Sequence, residues 1–275
     1  MAPPVKTVVE PRALRGDLSE LPAAPLLRPF ASSQGVLYSN DVDQGKIKNC
    51  CLPAVLAAMA NTSLGQERIR KMIAFNEQVQ ARSVVNGAVV VTPGIVRVTF
   101  GVGASVIAIS RLLYREKSPN PPGEILYAKS LSGQGWVSFI EKAYAVFASH
   151  RAKQGEVGYA SLVLIDPKTV MLDLLAPRLA PLVIPVTKYS APAAVSRWLA
   201  RSGQRPTIAT TPKAADNGFN TPHALMANHA YAVVGLDITG QKRARESIVK
   251  LSSDEAEIAL GDFIADFDSI VTLRD

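Results

Sequence analysis

The sequence has few cysteines, few aromatic residues and no long apolar run, and each shortage excludes a class of protein. Its two cysteines, Cys50 and Cys51, are adjacent, which excludes a disulfide scaffold and a cysteine-rich zinc module. The most apolar stretch, residues 170–187, is interrupted by Asp173, Arg178 and three prolines. A membrane-spanning helix needs about 20 consecutive apolar residues, so the sequence predicts none.

Several motifs with specific chemistry are missing as well. The three histidines, His150, His223 and His229, lack the spacing of a shared metal site, and the sequence contains no EF-hand loop and no phosphate-binding glycine loop. The net charge is +7, which is modest for 275 residues. Because no aromatic residues alternate with the basic ones, we expect no nucleic-acid partner.

The first residues, Met-Ala-Pro-Pro-Val-Lys, do not form the basic and apolar segments of a secretory signal peptide. We expect a cytoplasmic protein, or one exported without a cleavable signal peptide; release from a larger precursor stays open. Residues 1–35 are rich in proline and alanine and predict an extended arm, either docked on the body or partly disordered.

The remaining residues predict a mixture of helices and strands, mostly helices in the first half and mostly strands in the second. In the first half the apolar spacing predicts helices and a hairpin with its turn at Pro93-Gly94. The predicted helices there cover residues 49–60, 65–80 and 136–147, and the hairpin strands cover 89–91 and 95–100. In the second half the predicted helices cover 192–201 and 262–267, and the strands 207–210, 229–236, 247–251 and 270–273.

The segment from Gln44 to Cys50 contains residues whose types and positions indicate a catalytic site. Pro53 is tolerated only in the first turn of a helix, so the helix of residues 49–60 begins near Cys50. A helix N-terminus lowers the pKa of a thiol and favours the reactive thiolate. The amide of Gln44 is a candidate hydrogen-bond donor to an oxyanion, and His229, at the start of an apolar strand, is a candidate base.

Four blocks of the sequence resemble the calpain-type cysteine proteases of the papain-like fold. The first is Gln44-Gly45-Lys46-Ile47-Lys48-Asn49-Cys50 with the apolar helix after it. The second is Gly135-Trp136 followed by Glu141-Lys142-Ala143-Tyr144-Ala145, the third is Asn228-His229-Ala230-Tyr231-Ala232-Val233, and the fourth is Gly261-Asp262-Phe263-Ile264-Ala265-Asp266-Phe267. They occur in the family's order.

The resemblance implies an α+β, papain-like two-lobed fold with the active site in the cleft between the lobes. A helical N-terminal lobe, residues 36–182, is expected to carry Cys50, and a β-rich C-terminal lobe, residues 183–275, to carry His229. It also implies that Cys50 is the nucleophile, Gln44 the oxyanion donor and His229 the general base.

The sequence departs from the family at several positions. The family orients its histidine with an asparagine in an Asn-Pro-Trp segment; by spacing, Ser253 falls there, and Ser253 or Asp254 is the candidate to hold His229. The family has glycine, aspartate and tryptophan where this chain has Lys48, Asn49 and Cys51. The missing tryptophan takes an aromatic wall away from the nucleophile.

The leading hypothesis is therefore a calpain-like cysteine endopeptidase with a protein substrate. One alternative is a pseudoprotease or interaction module that keeps the fold without the chemistry. Another is a deamidase or acyltransferase that uses the same nucleophile, including a secreted effector or toxin. The resemblance implies calcium dependence in animal relatives, but we expect this chain to need neither calcium nor another cofactor. The oligomeric state is not predicted.

Overall fold

The structure is a computed structural model. It describes residues 3–14, 19–20, 27–30, 35–85, 87–101, 105–116, 124–152, 157–163, 165–175, 180–213, 221, 223, 225–238, 246–252 and 256–274. None of the described helices is long and apolar enough to cross a membrane.

The described residues form a mixed α+β fold. The helices are α1 (Cys51–Ala60), α2 (Ser63–Met72), α3 (Trp136–Arg151), α4 (Pro167–Leu175), α5 (Pro192–Leu199) and α6 (Leu260–Asp266). The first strands are β1 (Val5–Thr7), β2 (Ser19–Glu20), β3 (Val42–Asp43), β4 (Ile73–Val85), β5 (Ala88–Phe100), β6 (Ser105–Ile109), β7 (Arg115–Glu116) and β8 (Lys129–Ser130). The later strands are β9 (Pro181–Pro185), β10 (Thr207–Thr210), β11 (Ala230–Asp237), β12 (Ile248–Leu251), β13 (Glu257–Ala259) and β14 (Ser269–Leu273).

Contacts divide the chain into two compact units. The first comprises Met1–Gly35, Val42–Asn49 and Ile69–Ile165, and the second comprises Val36–Asp41, Cys50–Arg68 and Asp166–Asp275. This grouping joins α1 to the strands around His229, whereas the sequence boundaries of 36–182 and 183–275 separate them. The two lobes with those boundaries stay a prediction.

The first unit contains more β structure than the sequence pattern indicates. Its main sheet has the order β1-β4-β5-β6, with β4 and β5 each 13 residues long. The predicted helix over 65–80 is wrong beyond Met72, where β4 begins. In the second half of β4, buried residues alternate with more exposed ones, the period of a strand with one face on the core. The expectation that the first half is mostly helical is therefore wrong for this segment.

The hairpin turn also lies elsewhere than predicted. Strands β4 and β5 pair through to Val85 and Ala88, so the chain reverses between them and not at Pro93-Gly94. Pro93 lies inside β5, beside a shift in the pairing register. Gly94 there has a φ of +83°, and a Cβ on it would lie 2.9 Å from the Phe75 ring. The Pro-Gly pair thus marks a bulge within a strand, where only glycine fits.

The described part of the N-terminal arm is docked on the first unit. Strand β1 pairs in parallel with β4, and Val8 is buried with Val79, Ala81 and Ile95. Farther along, the Arg12 amide donates to the Val157 carbonyl at 2.9 Å. Residues 3–14 therefore pack on the first unit, and the arm as a whole, residues 1–35, stays a prediction.

The second unit is built on a six-stranded antiparallel sheet of order β13-β12-β11-β10-β14-β9. The strands predicted over 207–210, 229–236, 247–251 and 270–273 are confirmed to within one residue at each end. Side chains of β11, β12 and β14 share a core with helices α5 and α6; Val233, Val249 and Ile270 in it are fully buried. This sheet fixes the position of His229, which immediately precedes β11.

Candidate active site

Helix α1 presents Cys50 at its N-terminus, as the sequence predicts. Cys50 is the residue before the first helical residue, and its carbonyl accepts a 3.0 Å hydrogen bond from the Ala54 amide. Pro53 lies in the first turn, where its missing amide proton is not needed. Every residue of α1 from Leu52 to Ala60 is buried, so the helix is held rigidly by packing on more than one side. The nucleophile candidate is thus attached to a fixed element.

The surroundings of Cys50 favour its thiolate form. The pKa of Cys50 is lowered from 9.0 to about 4, because the Cys51 thiol donates a hydrogen bond to it and outweighs partial burial, which raises it. The His229 ring adds a hydrogen bond and a favourable charge, and the Ala230 amide adds a further hydrogen bond. Cys51 responds in the opposite direction, since its own pKa is raised by the neighbouring sulfur and by burial. Within the pair, Cys50 carries the charge and Cys51 keeps its proton.

The backbone around His229 is fixed by paired hydrogen bonds. The His229 amide donates to Thr211 Oγ1 at 3.0 Å, and the Thr211 amide donates to the His229 carbonyl at 2.9 Å. The preceding residue, Asn228, has a φ of +52°, a left-handed conformation that asparagine tolerates better than most residues. The His229 ring meets the Tyr231 ring edge-on, with 4.8 Å between the centroids. The second unit therefore brings together Cys50 and His229, which are 179 positions apart in the sequence.

Gln44 lies in the first unit, on a tight turn. Gly45 has a φ of +68°, and a Cβ there would lie 2.5 Å from the backbone of Tyr127, so the turn requires glycine. The Gly45 backbone amide donates to Asp43 Oδ1 at 3.1 Å. The Gln44 side-chain nitrogen donates one hydrogen bond to the Ile47 carbonyl. An amide nitrogen carries two protons, so Gln44 Nε2 has the capacity to donate a second hydrogen bond.

Comparison with known protein families identifies the family of the chain. The sequence model of the calpain family of cysteine proteases matches residues 28–254, which is most of the chain. The chain belongs to the calpain family of cysteine proteases. A comparison with individual curated proteins gives no match.

Besides Cys51, two positions at which this calpain-family chain differs from the family pattern are Lys48 and Asn49, on either side of which the chain is described. Lys48 is exposed, and the lowered pKa of Cys50 arises from Cys51, His229 and Ala230 instead. Asn49 is buried, and its Nδ2 donates to Glu141 Oε1 at 2.7 Å. The candidates to orient His229, Ser253 and Asp254, lie outside the described residues.

Glu141 is a buried carboxylate that the sequence pattern did not single out. It lies on α3 with no exposed surface, and the Ala128 amide donates to its second oxygen at 2.8 Å. Burial raises the pKa of Glu141 from 4.5 to about 8, although the hydrogen bonds from Asn49 and Ala128 act in the other direction. The residue before Cys50 in this calpain-family protein is therefore hydrogen-bonded to a titratable group. A glutamate in an otherwise apolar helical face is the sequence signal that could have indicated it.

His223 has ionic partners, although the sequence pattern suggests only a solvated loop residue. Its Nδ1 lies 2.9 Å from Asp266 Oδ1, and its Nε2 lies 3.3 Å from Asp262 Oδ1. The Asp266 hydrogen bond is the main reason that the pKa of His223 is raised. Among the described residues of this family member, no three histidine, cysteine, aspartate or glutamate side chains are grouped to hold a metal ion.

Proposed function

We propose that this chain is a cysteine endopeptidase in which Cys50 and His229 form the catalytic dyad. The observation that carries the proposal is the hydrogen-bonded Cys50–His229 pair at the start of α1, with the Cys50 pKa lowered to about 4. A thiolate at a helix N-terminus next to an imidazole is the nucleophile that cysteine proteases use. Membership of the calpain family supports the same reaction class.

In the proposed mechanism, the Cys50 thiolate attacks the carbonyl carbon of a substrate peptide bond. The negative charge that develops on the carbonyl oxygen is stabilised by the free amide proton of Gln44 and by the backbone N–H of Cys50. His229 gives its proton to the departing amine, which leaves an acyl-enzyme on the Cys50 sulfur. His229 then takes a proton from water, which attacks the acyl-enzyme and releases the second product.

The proposal includes the papain-like arrangement of two lobes, with the substrate bound in the cleft between them. Ser253 or Asp254 is proposed to accept a hydrogen bond from the His229 ring and so fix its tautomer. A serine or aspartate has the acceptor oxygen that this role needs, as the family's asparagine does. The family resemblance and the spacing from His229 support this assignment.

The test compares the wild-type chain with Cys50→Ala and His229→Ala on an unfolded protein substrate, using mass spectrometry of the products. We expect backbone cleavage by the wild type and none by either variant. His150→Ala is the matched control for His229→Ala, because His150 is exposed at the end of α3. Equal cleavage by wild type and Cys50→Ala would refute Cys50 as the nucleophile.

The same experiment separates the alternatives. A deamidase leaves the backbone intact and shows the small mass gain of glutamine turning into glutamate, whereas a pseudoprotease leaves the substrate unchanged. Cleavage is proposed to be independent of calcium, so equal rates with calcium and with a chelator are expected. A rate that depends on calcium would overturn that part of the proposal and leave the nucleophile assignment standing.

A further inference from the structure

The residues before β11 are tied to α6 through one buried carboxylate. The Asp266 side chain has no exposed surface, and its two oxygens have different partners. Thr221 Oγ1 donates to Oδ2 at 2.7 Å, and the His223 ring lies 2.9 Å from Oδ1. Buried carboxylates that lose such partners are costly, because the charge is left without compensation. Asp266 therefore holds Thr221 and His223 firmly against the helix.

From Thr221 the hydrogen bonds continue towards the catalytic histidine. Thr221 and Leu225 pair through the Thr221 amide and the Leu225 carbonyl at 2.7 Å. The next residue, Met226, donates from its amide to the Tyr231 hydroxyl at 2.9 Å, and its carbonyl accepts from Thr211 Oγ1 at 2.7 Å. Thr211 is also the residue whose hydroxyl and amide form hydrogen bonds with the His229 amide and carbonyl.

A second connection runs through aromatic rings. Phe267, the residue after Asp266, packs edge-on against Tyr231 with 5.8 Å between the centroids. Tyr231 packs edge-on against the His229 ring. The end of α6 is thus connected to His229 both through the backbone of the preceding residues and through ring contacts.

We propose that His223 and Asp266 are positioning residues for His229, and that they act as a latch that is closed while His223 is protonated. The proposal rests on the proposed function, since it assigns His229 the role of base. Only the imidazolium has protons on both ring nitrogens, so only that form can donate to both Asp266 and Asp262. These two carboxylates, both on α6, are the charged groups that the described residues place against the ring.

The pH dependence follows from the geometry. Below the raised pKa of His223 the ring donates to both Asp266 and Asp262, which is the closed latch. Above that pKa the ring loses one proton, and a ring nitrogen faces Asp262 with a lone pair. We therefore expect the catalytic rate to fall on the alkaline side as the latch opens. Asp262→Asn keeps an acceptor oxygen but removes one of the two negative charges beside the ring, so it should move that fall to lower pH.

The experiment uses the full chain with His223→Ala, His223→Gln and Asp262→Asn, and His150→Ala as the matched control for loss of an exposed histidine. One readout is kcat and KM for peptide cleavage from pH 5 to 9. The other is the titration of the His229 ring by NMR, which needs no substrate and is assignable because the chain has three histidines. His223→Ala should lower kcat about tenfold with little change in KM, since small misplacements of a catalytic group cost this much or more. His223→Gln, which keeps one donor, should restore part of the rate without the alkaline loss.

The two proposals fail in different ways. If the wild type cleaves its substrate and His223→Ala changes neither kcat nor the His229 titration, the positioning role is refuted and the proposed function stands. If the wild type cleaves nothing but His223→Ala shifts the His229 resonances, the proposed function fails and the positioning role stands. A lower melting temperature for His223→Ala with both readouts unchanged would show a merely structural tie and would also overturn the latch.

Discussion

The Cys51 thiol donates a hydrogen bond to Cys50, although the family resemblance predicts a tryptophan at this position. Its hydrogen bond is the largest influence that lowers the pKa of Cys50, ahead of His229. The Cys50 sulfur, burial and the Asp166 charge all raise the pKa of Cys51, so its thiol keeps its proton and donates it in a hydrogen bond to Cys50. A small polarisable donor at this position replaces the aromatic wall with direct stabilisation of the thiolate.

We predict that Cys51→Ala raises the pKa of Cys50, because the thiolate loses a donor. A hydrogen bond to a charged group contributes about 1.5–3 kcal/mol, which corresponds to a shift of about one to two pH units. The measurement is the rate of alkylation of Cys50 by iodoacetamide as a function of pH. Cys51→Ser keeps a hydroxyl donor and should shift the midpoint by much less. An unchanged midpoint in Cys51→Ala would contradict the assignment of Cys51 as the donor.

Helix α3 and the N-terminal arm are joined by an ion pair inside the first unit. Lys142 on α3 and Glu10 on the arm form this pair with 1% and 3% of their side chains exposed. Lys142 Nζ also donates to the Leu112 carbonyl at 2.6 Å. Burial lowers the pKa of Lys142, and the nearby Glu10 charge counteracts this. The arm therefore supplies the counter-charge without which α3 would carry a buried cation alone.

We predict that Glu10→Gln destabilises the chain by about 3–5 kcal/mol, since breaking a buried pair leaves an uncompensated charge. The matched control is Glu77→Gln, which breaks the exposed pair between Glu77 and Arg28 and should cost about 1 kcal/mol or less. Adding Lys142→Met to Glu10→Gln should recover stability, because the buried cation is gone. Urea unfolding measures all three, and an equal cost for Glu10→Gln and Glu77→Gln would show that the arm is not a structural clamp.

The elements that the sequence predicts correctly are those in which the apolar residues keep one spacing, that of a helix or that of a strand, along the whole element. Helix α3 starts at Trp136 as predicted, and β10 covers the predicted residues 207–210. The helix over 65–80 fails because Ile69, Met72 and Ile73 have helical spacing, while the residues after Met72 alternate with a period of two. Pro93-Gly94 is ambiguous for a different reason, because a glycine with positive φ serves a bulge as well as a turn.

The residues of the candidate site differ in how visible they are in the sequence. Cys50, Gln44 and His229 are candidates because their residue types stand in short recognisable segments. The contacts of Asn49 with Glu141 and of His223 with Asp266 join residues 92 and 43 positions apart. Spacing along the chain carries no information about such pairs, since tertiary packing alone brings them together. The sequence therefore predicts candidate reacting groups but not the side chains that contact them or their neighbours.

Among the described residues, the titrations of Cys50 and Glu141 have opposite effects on the stability of the folded chain in the neutral range. The pKa of Cys50 is about 4 in the folded chain and 9.0 ordinarily, so between pH 5 and 8 the unfolded chain binds one proton more at this residue. Its contribution to stability is therefore complete above pH 9 and is lost as the pH falls towards 4. Glu141 behaves oppositely, with a pKa of about 8 when folded and 4.5 ordinarily, so its contribution is lost as the pH rises from 4.5 to 8.

We predict that the pH dependences of stability due to Cys50 and to Glu141 nearly cancel in the wild type. Removing one of the two titrating groups should therefore reveal the slope due to the other. One proton of difference changes the free energy of unfolding by about 1.4 kcal/mol per pH unit. Relative to the wild type, Cys50→Ala should make stability fall with pH at about that slope between pH 5 and 8, and Glu141→Gln should make it rise at a similar slope. Urea unfolding at several pH values measures both slopes. If the two units unfold in separate transitions, each slope is read from the transition of the unit that contains the residue.

The double variant is the control for this prediction, because losing both titrations should restore the wild-type slope. Cys51 does not interfere, since its pKa is raised in the folded chain and is the ordinary 9.0 in the unfolded chain, so it stays mostly protonated across this range in both. A Cys50→Ala slope equal to that of the wild type would mean that the folded chain does not hold Cys50 as a thiolate. That result would remove the observation on which the protease proposal depends, even if the fold itself were unchanged.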